Sequence, residues 1–466
     1  MFHYIRHIGM TQTLSAWDIV LTPIFLLILI IIAREYRNKK YPPGHILRPY
    51  YMPGLLVKFA GVLLIALVYE FYYKDGDTFH YFFHAKFINA AMGDSIGTWL
   101  KLLAGVSPEK DPSLYPYVEQ MWWYKDASTH MVIKFSTLLG LLTGTTYIPI
   151  GLLFAYIAYT GIWAMFKTFV GIYPEYHKQL AFSFLFIPSI IIWGSSIFKD
   201  TLCMFALGWL VFASFRIFIH KDFSVKNILI LSASFYLVLV IKLYILMAFV
   251  PAITLWLLLT YSARVQTKAL RYLLIVLLLG INLGGFLFFM QKQSNALGGY
   301  SLENIAGKAN TTRGWIMFRS GDEGSGYDLG EIPPTIPGML SKFPSAVAVT
   351  LYRPFLWEIR KPIVLLSALE SAMFIYLTFI VLLRMRFKAF TEILNDPNLA
   401  FFLIYTIIFA FAVGISTGNF GTLSRYKIPC MPFFAALLMI LYAKSKVPNK
   451  VISQIHENKR PVHHFA

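Results

Sequence analysis

Apolar residues in this chain come in long runs, and the runs set its class. Stretches of predominantly apolar residues, each closed by a polar or basic cluster, recur from end to end. They fall at 17–33, 53–73, 146–169, 178–195, 201–219, 227–241, 244–262, 272–290, 363–383, 398–415 and 428–443. In hydrocarbon a backbone must satisfy its own hydrogen bonds, so each run is predicted as a helix. The pattern predicts an all-α polytopic membrane helix bundle of about eleven transmembrane helices, with residues 1–466 forming a single integral domain.

Two connections are too long to be turns, 74–145 and 291–362. The first carries aromatic-rich stretches of helical period at 79–88, 99–103 and 131–142, which predict amphipathic juxtamembrane helices lying in the headgroup layer. The second is more polar and Gly-rich around Ser320–Gly330, which predicts a partly flexible segment there. No internal repeat interrupts this layout.

Charge then orients the bundle. One alternate set of connections holds Arg34, Arg37, Lys39, Lys40 and Arg48, then Lys167 and Lys178, then Arg216, Lys221 and Lys226. It continues with Arg264, Lys268 and Arg271, with Arg384, Arg386 and Lys388, and with a basic tail over 444–466. Cytoplasmic loops collect Lys and Arg, so the N-terminus is expected outside and the tail in the cytoplasm, which requires an odd number of spans. The first run ends in Arg34–Lys40 without a small-residue cleavage site and is expected to remain as a span.

Composition agrees with this picture: 57% of residues are hydrophobic and 14% charged, where a soluble chain carries about a quarter charged. A net charge of +18 would otherwise suggest nucleic acid. Here the bases sit in short connections beside membrane lipids, so no nucleic-acid partner is expected. Cys203 and Cys430 lie in apolar runs without metal-ligand spacing, as small buried hydrophobes.

Ionisable groups at the outer ends of spans are the candidates for chemistry, since charges placed there have a purpose. In Lys74-Asp75-Gly76-Asp77-Thr78, two carboxylates stand at the exit of the second span. Asp77 or Thr78 is expected to cap the next helix, or a carboxylate there serves as general base or as an oxygen ligand for a divalent ion such as Mg or Mn. His80 and His84, spaced i and i+4 with Asp77 on the same face, offer a metal site; the alternative is a pair of interfacial histidines. Lys199-Asp200 falls in a short outer turn and Lys242 in another. Ser424-Arg425-Tyr426-Lys427 places two cations on the base-poor side, where they grip a phosphate or anchor to headgroups. Arg353, Trp357 and Glu358 stand close enough in sequence to cradle a sugar and its phosphate. Glu370, inside a span, is expected to pair across helices. No nucleotide-binding, hydrolase-elbow or zinc-protease motif occurs.

This layout resembles the GT-C superfamily of membrane glycosyltransferases, in particular bacterial relatives of the protein mannosyltransferases and of the lipid A aminoarabinose transferase. Three segments carry the likeness. Asp75-Gly76-Asp77-Thr78-Phe79-His80-Tyr81 resembles the acidic start of the family's first outer loop. Phe186–Asp200, with Pro188-Ser189 and Lys199-Asp200, resembles its second outer turn. Arg425-Tyr426-x-x-Pro429-x-x-Pro432 resembles its Arg-Tyr-x-x-Pro segment. Where the family carries a Lys-Pro-Pro-like stretch this chain reads Ala127-Ser128-Thr129-His130-Met131, which leaves Lys125 or Lys134 for that role.

The resemblance implies a hexosyl or pentosyl transferase that moves a sugar from a polyprenyl-phosphate carrier to a lipid, glycan or protein acceptor of the envelope. Its site would use Asp77 as base, Asp75 or Asp200 in support, and Arg425, Lys242, Lys199 and Arg353 for phosphate. Tyr81, Tyr426, Trp357 and Glu358 would line the substrate. With short inner loops, it also implies a bacterial inner membrane. Competing expectations are an envelope polysaccharide polymerase or ligase, a transporter or flippase, and a non-catalytic scaffold.

Overall fold

A computed structural model of the chain describes residues 13–262, 304–320 and 325–446, with isolated positions between 267 and 284. All regular structure among them is helical, apart from one isolated bridge between Gly326 and Asn419. Among the described residues seven helices are long and apolar enough to cross a membrane, and a bent pair would make an eighth. The chain is a polytopic helical membrane protein.

Contacts divide it into two compact units. The first comprises Met1–Thr168 with Ile190–Leu243, and the second Phe169–Ser189 with Tyr244–Ala466.

The first unit opens with α1, Ala16–Lys40. Its start is set by a capping box: the Ser15 amide donates to the Asp18 carboxylate at 2.9 Å, and the Asp18 amide donates back to the Ser15 hydroxyl. Arg37, Lys39 and Lys40 close its last turn, where cations suit the helix dipole. Helix α2, Arg48–Leu67, widens into a π-turn over Val68–Tyr73. Three helices then fill most of the connection 74–145: α3 Asp77–Ala91, α4 Ile96–Ala104 and α5 Ala127–Thr143. Helices were expected at 79–88, 99–103 and 131–142, and helices stand there. Trp99 and Leu102 of α4 are buried while Ile96 and Leu100 are exposed.

Helix α6, Tyr147–Ile172, continues into the second unit. The predicted span 178–195 is broken into α7, His177–Leu185, and α8, Pro188–Trp193. Pro188 explains the break, because it donates no backbone hydrogen bond and pushes the preceding residue out of helical geometry. Helix α9, Lys199–Phe218, crosses α6 closely: a Cβ on Gly208 would lie 2.0 Å from the carbonyl oxygen of Gly161. Small residues at such a crossing let backbones approach in a membrane. Helix α10, Val225–Ile241, completes the unit.

The second unit holds α11 Leu243–Ser262, α12 Ile305–Ser320, α13 Ile336–Ser341, α14 Phe343–Tyr352 and α15 Pro362–Met385. It ends with α16 Phe387–Asn395, α17 Pro397–Ser416, α18 Phe420–Tyr426 and α19 Met431–Lys444. Its core is aromatic, with Phe169, Phe184, Phe402 and Phe433 in mutual ring contact. The last predicted span is instead the pair α18 and α19, bent by 76° around Pro429. The predicted span 272–290 lies outside the continuously described residues. The segment expected to be flexible is anchored over its described part. Tyr327 is buried, its amide donates to the Gly418 carbonyl at 3.0 Å, and its hydroxyl donates to the Gly414 carbonyl at 3.0 Å.

Candidate functional site

In the first unit, the turn that follows α2 and its π-turn contains two residues with positive φ. Lys74 takes φ 58°, and Gly76 takes φ 142°, where a Cβ would meet the Tyr69 ring at 2.6 Å. That turn places Gly76 as the N-cap of α3 and Asp77 at its first position, with no side chain capping the helix. The capping role expected of Asp77 or Thr78 is therefore not what these residues do. Thr78 is buried against the Tyr147 hydroxyl at 2.8 Å, while Asp77 stays exposed at the positive end of α3.

Asp75 pairs with His80 at 3.1 Å. His84 is buried instead, with no hydrogen-bond partner for Nδ1. Burial, with His80 and His130 adding to it, pushes His84 down to about 4. Among the described residues no group of three His, Cys, Asp or Glu side chains is placed to hold a metal ion. Asp77, His80 and His84 thus do not fit the metal site expected of them.

Asp126, which the sequence did not single out, is the N-cap of α5. It accepts from the Thr129 amide at 3.0 Å, from the Thr129 hydroxyl at 2.5 Å and from the Lys199 ammonium at 3.2 Å. Burial alone would push its carboxyl up, but Lys199 and Thr129 hold it below the ordinary carboxylate range. Asp77 and Lys242 are near enough to Lys199 to act on it electrostatically.

Asp200, in the first turn of α9, is fully buried and meets Lys242 at 2.5 Å. Lys242 sits where α10 ends, and it is 8% exposed. The two residues were expected to serve acid and phosphate separately. The structure joins them in one buried ion pair, which removes Lys242 from the set of cations presented to a phosphate. Tyr81, expected against substrate, is packed in the interior of this unit. Lys125 and Lys134 are engaged within the connection 74–145, with Glu109 at 2.7 Å and with the Ala104 carbonyl at 3.1 Å.

A second buried cation escaped the sequence reading. Lys58 of α2 donates to the carbonyls of Ile190 and Gly194 at 2.7 Å each, closing orphan acceptors around α8. A lone lysine inside the apolar run 53–73 was the available signal.

The remaining candidates lie in the second unit. Arg353 forks onto Glu358, with Nε 3.0 Å from one carboxylate oxygen and Nη2 on the other. It also faces the Phe420 ring at 5.2 Å. The Phe355 amide donates to Glu358 at 2.8 Å. Burial would raise the Glu358 carboxyl, yet Arg353 and that amide bring it below its usual value. Arg353 and Glu358 thus satisfy each other, and Trp357, stacked on Phe355 at 4.8 Å and 81% exposed, stands away from any cradle.

Arg425 and Tyr426 are half-buried at the end of α18. Lys427 follows them in the bend and is fully buried, with no hydrogen bond to its ammonium. Glu370 acts on it electrostatically and is itself bound by the Ser189 amide at 2.8 Å and hydroxyl at 3.0 Å.

No family model matches the chain, and no curated protein or solved structure is significantly similar to it.

Proposed function

We propose that this protein is a membrane glycosyltransferase that moves a sugar from a polyprenyl-phosphate carrier to an envelope acceptor on the face away from the cytoplasm. The observation that carries the reading is the charged cluster of the first unit. Exposed Asp77 acts electrostatically on Lys199, which Asp126 holds and which neighbours the buried Asp200–Lys242 pair. In this reading Asp77 takes the proton from an acceptor hydroxyl. The hydroxyl oxygen forms the new bond to the anomeric carbon as the bond from that carbon to the phosphate oxygen breaks. The carrier leaves as its phosphate, and Lys199 is the cation of this cluster placed to meet that charge. The Asp200–Lys242 pair fixes the start of α9 and so the position of Lys199. The proposal includes the bacterial inner membrane, about eleven spans, an outer N-terminus and a cytoplasmic tail.

The test is transfer of radiolabelled sugar from polyprenyl-phosphate donors by purified protein, wild type beside Asp77→Asn. Transfer by the wild type alone supports the reading. Equal transfer by the variant removes Asp77 as base. Absence of both turnover and donor binding in the wild type removes the transferase.

A second reading, transport, is favoured by one observation in the second unit: buried Lys427 and Glu370 adjoin breaks in helices, as ion and substrate sites of transporters do. Glu370→Gln separates the two readings, since it should abolish solute flux in proteoliposomes under transport and leave a transferase in the first unit active.

A further inference from the structure

Immediately before α5 the chain presents an aromatic ring that the proposed chemistry does not use. Residues 121–126 make two tight turns, in which the Tyr124 amide donates to the Met121 carbonyl at 3.0 Å and the Asp126 amide to the Trp123 carbonyl at 3.1 Å. Met121 and Tyr124 are buried, and the Tyr124 hydroxyl donates to the Val106 carbonyl at 3.0 Å. Pinned on both sides, the turn holds Trp122 at the surface, 63% exposed. An indole so placed is a flat, rigid, apolar plate, and little ordering cost falls on a ligand that settles on it.

Polar groups stand at the edge of that plate. The His80 imidazole meets the Trp122 ring in a T-shaped contact, with centres 5.6 Å apart and planes at 61°. Its Nε2 lies 3.1 Å from an Asp75 carboxylate oxygen. His80 follows Asp77 by three residues on α3, so the two share a helix face with about 5–6 Å between their Cβ atoms. At the far end of the turn, Asp126 holds Lys199 at 3.2 Å. The same short segment thus sets the plate beside the helix turn that carries Asp77 and fixes the cation assigned to phosphate.

This combination selects a class of ligand. A pyranose has a face of C–H groups, which lies flat on an aromatic ring and is attracted by the negative charge of its π-face. The hydroxyls around its rim both donate and accept. The Asp75 carboxylate accepts, and a neutral imidazole offers one donor and one acceptor. A quaternary ammonium also suits an indole face, but a donor beside the ring adds nothing to its binding.

We propose that Trp122, His80 and Asp75 form a pyranose-binding subsite, in which the C–H face of the sugar lies on the Trp122 indole and its hydroxyls bond to His80 and Asp75. The assignment rests on the transferase reading, in which the bound ring is the sugar being transferred.

The test is saturation-transfer NMR of the purified full chain in a polyoxyethylene detergent, which carries neither sugar nor charge. The probes are methyl glycosides of glucose, galactose, mannose, N-acetylglucosamine and xylose. Saturation should pass from aromatic protons of the protein to ring C–H protons of at least one of them. Trp122→Phe should keep that transfer, whereas Trp122→Leu should weaken binding about tenfold, with melting temperature unchanged in both. The leucine keeps an apolar side chain for a membrane surface and loses only the flat face. Equal binding by the two variants would therefore overturn the proposal and leave Trp122 as an interfacial anchor. So would absence of transfer to every glycoside, or displacement of the sugar by choline, which marks a cation site. Sugar binding without turnover of any polyprenyl-phosphate donor would remove the transferase and keep the subsite. Turnover by Trp122→Leu with an unchanged KM for the donor would keep the transferase and remove the subsite.

Discussion

Buried ionisable side chains divide here by what compensates them. Lys58 is compensated by two carbonyls, so Lys58→Met should strand both acceptors and lower stability by about 3 kcal/mol, read as a fall in melting temperature in detergent. Asp200 is compensated by Lys242. Lys242→Met takes the ammonium away from a buried carboxylate and should cost about 3–5 kcal/mol, whereas the double change D200L/K242M should recover most of that loss. A double variant no more stable than the single would show that the pair is not the source of the cost. The histidines behave differently, because burial holds His84 and His130 neutral with values near 4, below the usual 6.5. Above about pH 6.5 neither state is protonated and their contribution is complete. As pH falls, the unfolded chain takes up protons that the folded chain refuses, so stability declines until both states are protonated near pH 4. Each histidine should account for up to about 3 kcal/mol of that decline. Melting curves between pH 7 and pH 4 should show it, and His84→Gln should flatten the slope; an unchanged slope would contradict the burial argument.

At the level of elements, close backbone approach makes its own prediction. Gly161 of α6 and Gly208 of α9 meet where no side chain fits, since a Cβ on Gly161 would lie 2.1 Å from the Phe205 carbonyl oxygen. Gly161→Val should force the two helices apart and cost about 1–3 kcal/mol, seen as reduced melting temperature and yield. The same substitution at Gly171, which has open space around it, should be nearly silent. Which elements exist was legible in the sequence wherever an apolar run was long and uninterrupted, as for α1, α2, α6, α9, α15 and α17. It failed at α7 and α8, where hydropathy is blind to the geometry imposed by Pro188, and at α18, whose first turn begins eight residues before the predicted span at 428. Candidate residues were legible by type but not by partner. Asp200 and Lys242 are matched to each other across 42 residues, a pairing that leaves no local signature, whereas Arg353 and Glu358, five residues apart, stood together in the sequence but spend their charges on one another. Asp126 reads as an ordinary helix cap until Lys199 is seen on it.

Across the whole molecule, the alternation of basic and base-poor connections makes a claim that packing does not test: side of the membrane is a property of the chain in a bilayer. The physical basis is nevertheless visible in how charge is spent. Lys101 meets Asp111 and Lys125 meets Glu109 within the connection 74–145. The connection after α15 carries Arg384, Arg386 and Lys388 on its surface. Lys and Arg in short connections resist translocation against the membrane potential. Single cysteines can test this, because Cys203 and Cys430 are both buried and should not label in the folded protein. In right-side-out vesicles a membrane-impermeant maleimide should modify Lys110→Cys in the outer connection while sparing Asn38→Cys and Lys388→Cys until the vesicles are lysed. Labelling of Asn38→Cys and Lys110→Cys from the same side would break the alternation at its second span. Labelling of Lys388→Cys without lysis would place α16 on the outer leaflet.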